Sequence, residues 1–177
     1  RFKKVQIFEG DSIDYECGTC PYGRTSPAGA AVCSTCSTGQ IVINFTCNDC
    51  EIGKIAQAGD TTCRSCVAGL YQPNKGKGTC QPCVAGTWSD TVGSSSPLDC
   101  NKCGQGTYSL ATAAASSTTC TSCPPGSKSN VHGANNSQVC TNCEMGKVSK
   151  ASAVVCTSCQ RGQYTLKSGE SSCSKCI

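Results

Sequence analysis

The sequence predicts a small disulfide-rich fold, an elongated tandem array of short β-hairpin and turn modules with little or no helix. Three observations carry this expectation. Cysteine accounts for 20 of 177 residues, above the density at which composition alone indicates a disulfide scaffold. Leu, Ile, Val and Phe together number 25 of 177, below the roughly 20% that marks chains unable to build an ordinary hydrophobic core. The cysteines also recur with a period, as they do in repeat architectures. Ordering the backbone costs about 1–2 kcal/mol per residue, so cross-links must supply what a core would otherwise provide.

The periodic part spans residues 17–177. Its cysteines form ten CxxC pairs: Cys17 and Cys20, Cys33 and Cys36, Cys47 and Cys50, Cys63 and Cys66, Cys80 and Cys83, Cys100 and Cys103, Cys120 and Cys123, Cys140 and Cys143, Cys156 and Cys159, and Cys173 and Cys176. In each case where the chain continues, a glycine follows the second cysteine after two residues: Gly23, Gly39, Gly53, Gly69, Gly86, Gly106, Gly126, Gly146 and Gly162. Glycine permits the positive φ of a tight turn. Two residues further on stand Thr25, Ile41, Ile55, Tyr71, Trp88, Tyr108, Val148 and Tyr164, with Lys128 the exception. β-Branched and aromatic residues there suit a short strand. A small residue usually comes next, then a polar variable stretch such as "LATAAASST", as at loop tips. One large side chain per repeat, packed on the adjacent disulfide, is expected to be the core of that repeat, and each repeat is expected to touch only its neighbours.

Residues 1–16, "RFKKVQIFEGDSIDYE", differ in kind. They hold no cysteine, and "KVQIF" alternates in part as a strand does. They read as an N-terminal extended segment, either a leader or linker packed on the first repeat or an exposed strand that pairs with a neighbouring molecule. The start at Arg1 rather than Met indicates processing or a longer parent chain.

Charge and motifs exclude several function classes. The net charge is +4, and the basic residues are scattered, which reads as a solvated surface rather than a nucleic-acid footprint. No apolar run approaches the ~18 residues of a membrane span. His132 is the only histidine and lies in a polar loop, so neither a triad nor acid–base chemistry is indicated and no enzyme activity is expected. A thioredoxin-like site needs one reactive CxxC in a βαβ context, whereas ten equivalent pairs stand here without an α/β pattern. Four-cysteine zinc sites remain an alternative, although the gaps between pairs, roughly 10 to 16 residues, mostly fall short of the zinc spacing. Neither zinc nor another cofactor is expected in the preferred reading.

Disulfides in an oxidising, extracellular setting account for the cysteines best. Two N-glycosylation acceptor sequences accord with that setting, "NFT" at Asn44 and "NNS" at Asn135, and the abundant Ser and Thr would suit O-linked glycans. Two connectivities are open. In a block scheme, adjacent pairs cross-link one-three and two-four, for example Cys17 to Cys33 and Cys20 to Cys36. In a ladder, the second cysteine of each pair joins the first of the next, as Cys20 to Cys33 and Cys36 to Cys47, leaving Cys17 and Cys176 without internal partners. Blocks would make alternate intervals differ in role. All nine intervals carry the same x-x-Gly opening, which favours the ladder without excluding blocks.

The frame CxxCxxGx[Y/W]S followed by a loop and "TTC", as in "CVAGTWSD" and "CGQGTYSLATAAASSTTC", resembles the ephrin-receptor-like cysteine-rich repeats of extracellular proteins. It is similar also to the cysteine-periodic surface antigens of ciliates and, more distantly, to tumour-necrosis-factor receptor modules. The resemblance covers residues 17–177. It implies an elongated extracellular rod with paired structural cysteines, the cysteine before x-x-Gly closing onto a later one, and it implies no catalytic residue. The expected function is a secreted or cell-surface structural protein, a glycosylated rod or coat component, with a filament subunit as its sharper form. Its partners would be further copies of itself or neighbouring extracellular proteins, with no nucleic acid. The alternatives are a receptor or adhesion ectodomain, for which Tyr71, Trp88 and Tyr108 in the middle repeats are the candidate face, and an intracellular zinc protein.

Overall fold

In the computed structural model the described residues are 20, 24–26 and 33–177. The extended segment 1–16, Cys17 and Gly23 lie outside them. Among the described residues, nine disulfides join the second cysteine of each pair to the first of the next: Cys20–Cys33, Cys36–Cys47, Cys50–Cys63, Cys66–Cys80, Cys83–Cys100, Cys103–Cys120, Cys123–Cys140, Cys143–Cys156 and Cys159–Cys173. This is the ladder, and the block pairings are absent. Their Cα–Cα separations of 5.5 to 5.9 Å lie at the common value for a disulfide.

Each unit is a hairpin, from Arg24–Thr25 paired with Ser34–Thr35 to Gln163–Tyr164 paired with Ser174–Lys175. The sheets are two-stranded and antiparallel, and no α-helix occurs among the described residues. A turn opens the unit. In the Gly86 unit the Thr87 N–H donates to the Val84 carbonyl at 3.0 Å, with Gly86 at φ +83°. A positive φ at the third turn residue is the type II geometry, which only glycine adopts without cost. The Thr87 hydroxyl donates to the same carbonyl at 2.7 Å, and Thr107 and Ser127 repeat that bond on Gly104 and Pro124. The hairpin closes when the second cysteine of the next pair donates its N–H to the turn-glycine carbonyl, as Cys103 does to Gly86 at 2.9 Å.

Three units have the longest loops, each closed by cysteines 17 residues apart. The extra residues form a single 3-10 turn before the first cysteine: Pro97–Asp99, Ser117–Thr119 and Ser137–Val139. Ser96, Ser116 and Asn136 cap these turns, and Ser96 with Asp99 makes a capping box. Side-chain oxygens thereby satisfy the free N–H groups of a turn too short to do so itself.

Units are joined by backbone bonds. The turn-glycine N–H donates to the carbonyl three residues past the next turn glycine, at 2.7 to 2.9 Å in six successive units: Gly39 to Ala56, Gly53 to Gln72, Gly69 to Ser89, Gly86 to Ser109, Gly106 to Ser129 and Gly126 to Ser149. The N–H of that +3 residue continues the chain of bonds into the following loop, as Ser89 to Ala114 and Ser109 to Ala134, both at 2.9 Å. Parallel bridges Tyr71 to Ser94, Trp88 to Ala114 and Tyr108 to Ala134 mark the same contacts.

The buried column is not made of the large side chains expected from the sequence. Its members are Cys36, Cys50, Cys66, Cys83, Cys103, Cys123 and Cys143, with Ala56, Ser89, Ser109, Ser129 and Ser149 at the +3 position and Ser94, Ala114 and Ala134 from the loops. Ile41, Ile55, Tyr71, Trp88, Tyr108 and Val148 are half-buried, and Lys128 and Tyr164 are exposed. The reason is spacing. Backbones hydrogen-bonded to both neighbours leave little room at +3, where five of the six buried residues are Ala or Ser, so the larger residue lies outside, along the flank of the column. Gln72 is the large exception among these buried residues, and it is 3% exposed. Its amide is satisfied within the loop, donating to the Thr79 carbonyl at 2.6 Å and accepting from the Asn74 N–H at 3.0 Å.

Candidate functional site

Contacts also reach two units ahead, which corrects the expectation that each repeat meets only its neighbours. A Cβ placed on Gly39 would stand 2.1 Å from the carbonyl oxygen of Gly76, two turn glycines further on. Gly53 meets the Gly93 carbonyl, Gly69 that of Ala113, Gly86 that of Gly133, Gly106 that of Ser152 and Gly126 that of Gly169, all at 1.9 to 2.2 Å. Each of these six turn glycines is therefore required twice, for its positive φ and for the backbone seated against it. Gly146 and Gly162 share the positive φ but have nothing within 4 Å.

The residue seated on each glycine is itself a second left-handed turn position. Gly76, Gly93, Gly133 and Gly169 fill it without strain, but Ala113 at φ 54° and Ser152 at φ 58° do not have glycine's freedom. These residues donate their N–H groups to the buried cysteine carbonyls of the preceding unit at 2.7 to 3.0 Å: Gly76 to Cys50, Gly93 to Cys66, Ala113 to Cys83, Gly133 to Cys103, Ser152 to Cys123 and Gly169 to Cys143. The Ser152 hydroxyl also donates to the Ser122 hydroxyl at 2.6 Å. The loop turn thus holds three successive units together, a role that the polar loop sequences alone do not announce.

Around this scaffold the CxxC interior residues line an exposed face. Arg64–Ser65, Gln81–Pro82, Asn101–Lys102, Thr121–Ser122, Thr141–Asn142 and Thr157–Ser158 are all exposed. Tyr71, Trp88 and Tyr108 occupy the same +2 position in three successive units. His132 is exposed in its loop. Among the described residues no group of His, Cys, Asp and Glu is placed to hold a metal ion, and the paired cysteines have no thiolates to offer one. The Glu144 carboxyl titrates low. The hydrogen bond from Lys147, at 2.9 Å, and the charge of that lysine hold its carboxyl below the ordinary carboxylate value.

Cys176, grouped with the disulfide cysteines from the sequence, carries no disulfide and is exposed. A ladder that always pairs forward leaves the last cysteine of the chain without an internal partner.

The Cys36–Cys47 unit departs from the others. Its strands, Gln40–Ile43 and Thr46–Asp49, are four residues long and pair in register Ile43 with Thr46. Asn44 and Phe45 form the two-residue connection, at φ 49° and 60°, which is a type I′ turn matched to the twist of the strands. The acceptor sequence at Asn44 therefore sits on a hairpin tip, with Asn44 exposed. The Thr25 hydroxyl donates to the Phe45 carbonyl and ties the tip to the preceding unit. Asn135 lies just before the 3-10 turn Ser137–Val139 and is likewise exposed.

Residues 53–100, which hold the Gly53, Gly69 and Gly86 units, match the family described as tyrosine-protein kinase ephrin type A/B receptor-like. They are an ephrin-receptor-like cysteine-rich repeat. The disulfides and inter-unit bonds of this ephrin-receptor-like segment recur from the Gly39 unit to the Gly126 unit, so one frame runs on both sides of it. Comparison with curated proteins finds no matching sequence. A disulfide-bonded ephrin-receptor-like module points to an extracellular or cell-surface location. No helix among the described residues is long and apolar enough to cross a membrane.

Proposed function

We propose that this chain is a secreted or cell-surface structural protein, a glycosylated disulfide rod that serves as a spacer or coat component, with no enzymatic role. The observation that carries the reading is the uniformity of the ladder. From the Gly39 unit to the Gly126 unit, successive units repeat the same turn, disulfide and inter-unit bonds, as a spacer built from equivalent parts does. Self-association into filaments is the sharper form of the proposal, supported by the exposed Cys176 thiol and by the partial alternation of "KVQIF" in the sequence.

Sedimentation of the full chain under oxidising conditions tests both forms. A frictional ratio well above that of a sphere, with thiol-dependent multimers, is expected. A ratio near that of a sphere contradicts the rod, and a strict monomer contradicts the filament.

A receptor or adhesion ectodomain is the second reading, and the family description favours it. Tyr71, Trp88 and Tyr108 would then present a ligand-facing flank. Alanine substitution of all three should abolish capture of a protein ligand if that reading holds, and should change only stability if the structural reading holds. The zinc reading has no support in the paired cysteines.

A further inference from the structure

We propose that Asn44 is an N-glycan attachment site that can be modified only while the Cys36–Cys47 hairpin is open, so that glycan transfer and disulfide closure compete for this segment. The inference rests on the extracellular reading.

The acceptor sequence Asn44–Phe45–Thr46 requires the asparagine amide and the hydroxyl two residues on to be presented together in an accessible loop. In the closed hairpin that hydroxyl is already engaged. Thr46 Oγ1 donates to the Ile43 carbonyl at 2.8 Å and accepts from Asn48 Nδ2 at 3.0 Å. The Asn48 amide also bonds the Thr46 carbonyl at 3.0 Å and the Ile43 carbonyl at 3.3 Å. Asn44 and Phe45 are held in left-handed conformations between paired strands. Cys47, directly after Thr46, is bonded to Cys36. Opening the tip into a loop means breaking the Ile43–Thr46 pairing and the Asn48 bonds beside a cross-link that keeps the strand ends together.

Asn135 is the internal contrast. It lies in a longer loop, and its side chain only accepts from Asn136 Nδ2 at 2.9 Å. The next residue, Asn136, caps the 3-10 turn by accepting from the Gln138 N–H. Among the described residues the Ser137 hydroxyl makes no hydrogen bond, so this acceptor does not depend on a hairpin being open.

The chemistry requires a donor oligosaccharide carried on a polyprenyl pyrophosphate. A bond forms between Asn44 Nδ2 and the anomeric carbon, the carbon–oxygen bond to the lipid pyrophosphate breaks, that pyrophosphate leaves with the electron pair, and the amide loses one proton. Once attached, the glycan stands beside Phe45, 70% exposed, and Ile43, 48% exposed. It would cover an apolar tip that the bare hairpin leaves in water.

The test is site occupancy by glycopeptide mass spectrometry on the full chain, expressed through a eukaryotic secretory route. Three samples are compared: the wild type, C36S/C47S, and the wild type made during a pulse of mild reductant, which delays closure without any substitution. Asn44 should be partly occupied in the wild type and rise by about two-fold or more in both other samples, with Asn135 unchanged. Disulfides with glycan at Asn135 but none at Asn44 in all three samples would overturn the inference alone, as would equal, complete occupancy of Asn44 in all three. Reduced cysteines with both asparagines bare would overturn the extracellular reading, and this inference with it.

Discussion

Replacing Gly86 and Gly146 by alanine, each in turn, separates two demands that the structure places on the turn glycine. Both have a left-handed backbone, at φ +83° and +76°. An L-residue there costs about 1–2 kcal/mol, offset in part by about 0.4–1 kcal/mol from the stiffer unfolded chain. Gly146→Ala meets nothing within 4 Å, so its net cost should be about 1.6 kcal/mol or less. In Gly86→Ala the new Cβ stands 2.2 Å from the Gly133 oxygen, 2.7 Å from its carbon and 2.9 Å from the Ala134 oxygen. All three are backbone atoms, so the loop two units ahead must move. That movement strains the bond from the Gly133 N–H to the Cys103 carbonyl, now 2.8 Å. Overpacking of this kind costs about 1–3 kcal/mol, and each strained bond about 1 kcal/mol more. Gly86→Ala should therefore cost about 2–4 kcal/mol more than Gly146→Ala. Hydrogen exchange with the disulfides intact reads this locally. Protection of the Gly133 amide should fall by about 30-fold or more in Gly86→Ala, while Gly146→Ala leaves that amide unchanged. Equal, small losses around the two substituted sites would refute the contact two units ahead.

Three further outcomes follow from the same geometry. Ala113→Gly removes left-handed strain without touching its bond to Cys83, and should stabilise the Gly86 and Gly106 units by up to about 1 kcal/mol after the entropy of the added glycine is counted. Slower exchange at Ala113 and its neighbours would show it. Ser89→Leu places a large side chain in a fully buried site and removes the acceptor of the Thr91 N–H, which should cost about 2–4 kcal/mol. Loss of protection at Gly69, whose N–H donates to Ser89, is the readout. Because the Glu144 pKa is lowered by Lys147, the small stabilisation from that pair is complete above the ordinary carboxylate value and fades as pH falls through the depressed one. In Lys147→Ala the carboxyl titration, followed by NMR, should move back upward, and an unmoved titration would contradict the assignment.

The regular spacing of Cys, Cys and Gly made the hairpin array legible, because each unit's turn and disulfide use only residues close in sequence. Contacts between units were hidden for the opposite reason. Nothing near Gly39 in the chain shows that its missing Cβ makes room for the Gly76 carbonyl. The identity of the core was misread at the +2 position. Trp88 and Tyr108 are the largest apolar side chains in their units, yet the close approach of successive backbones buries the small residues after them, Ser89 and Ser109. The small residues were visible in the sequence as the start of a polar loop, and their regularity was the usable signal. The Asn44 tip was legible as an acceptor sequence but not as a turn, since phenylalanine seldom takes a left-handed conformation.

The ladder itself is the claim on which the rest stands. Cutting the unreduced protein between cysteines and identifying the linked peptides by mass spectrometry tests it directly. Cys66 should be linked to Cys80 and Cys83 to Cys100, with Cys176 unlinked within the chain. Peptides joining Cys80 to Cys100 and Cys83 to Cys103 would contradict it, because such blocks would cut the unbroken succession of equivalent units.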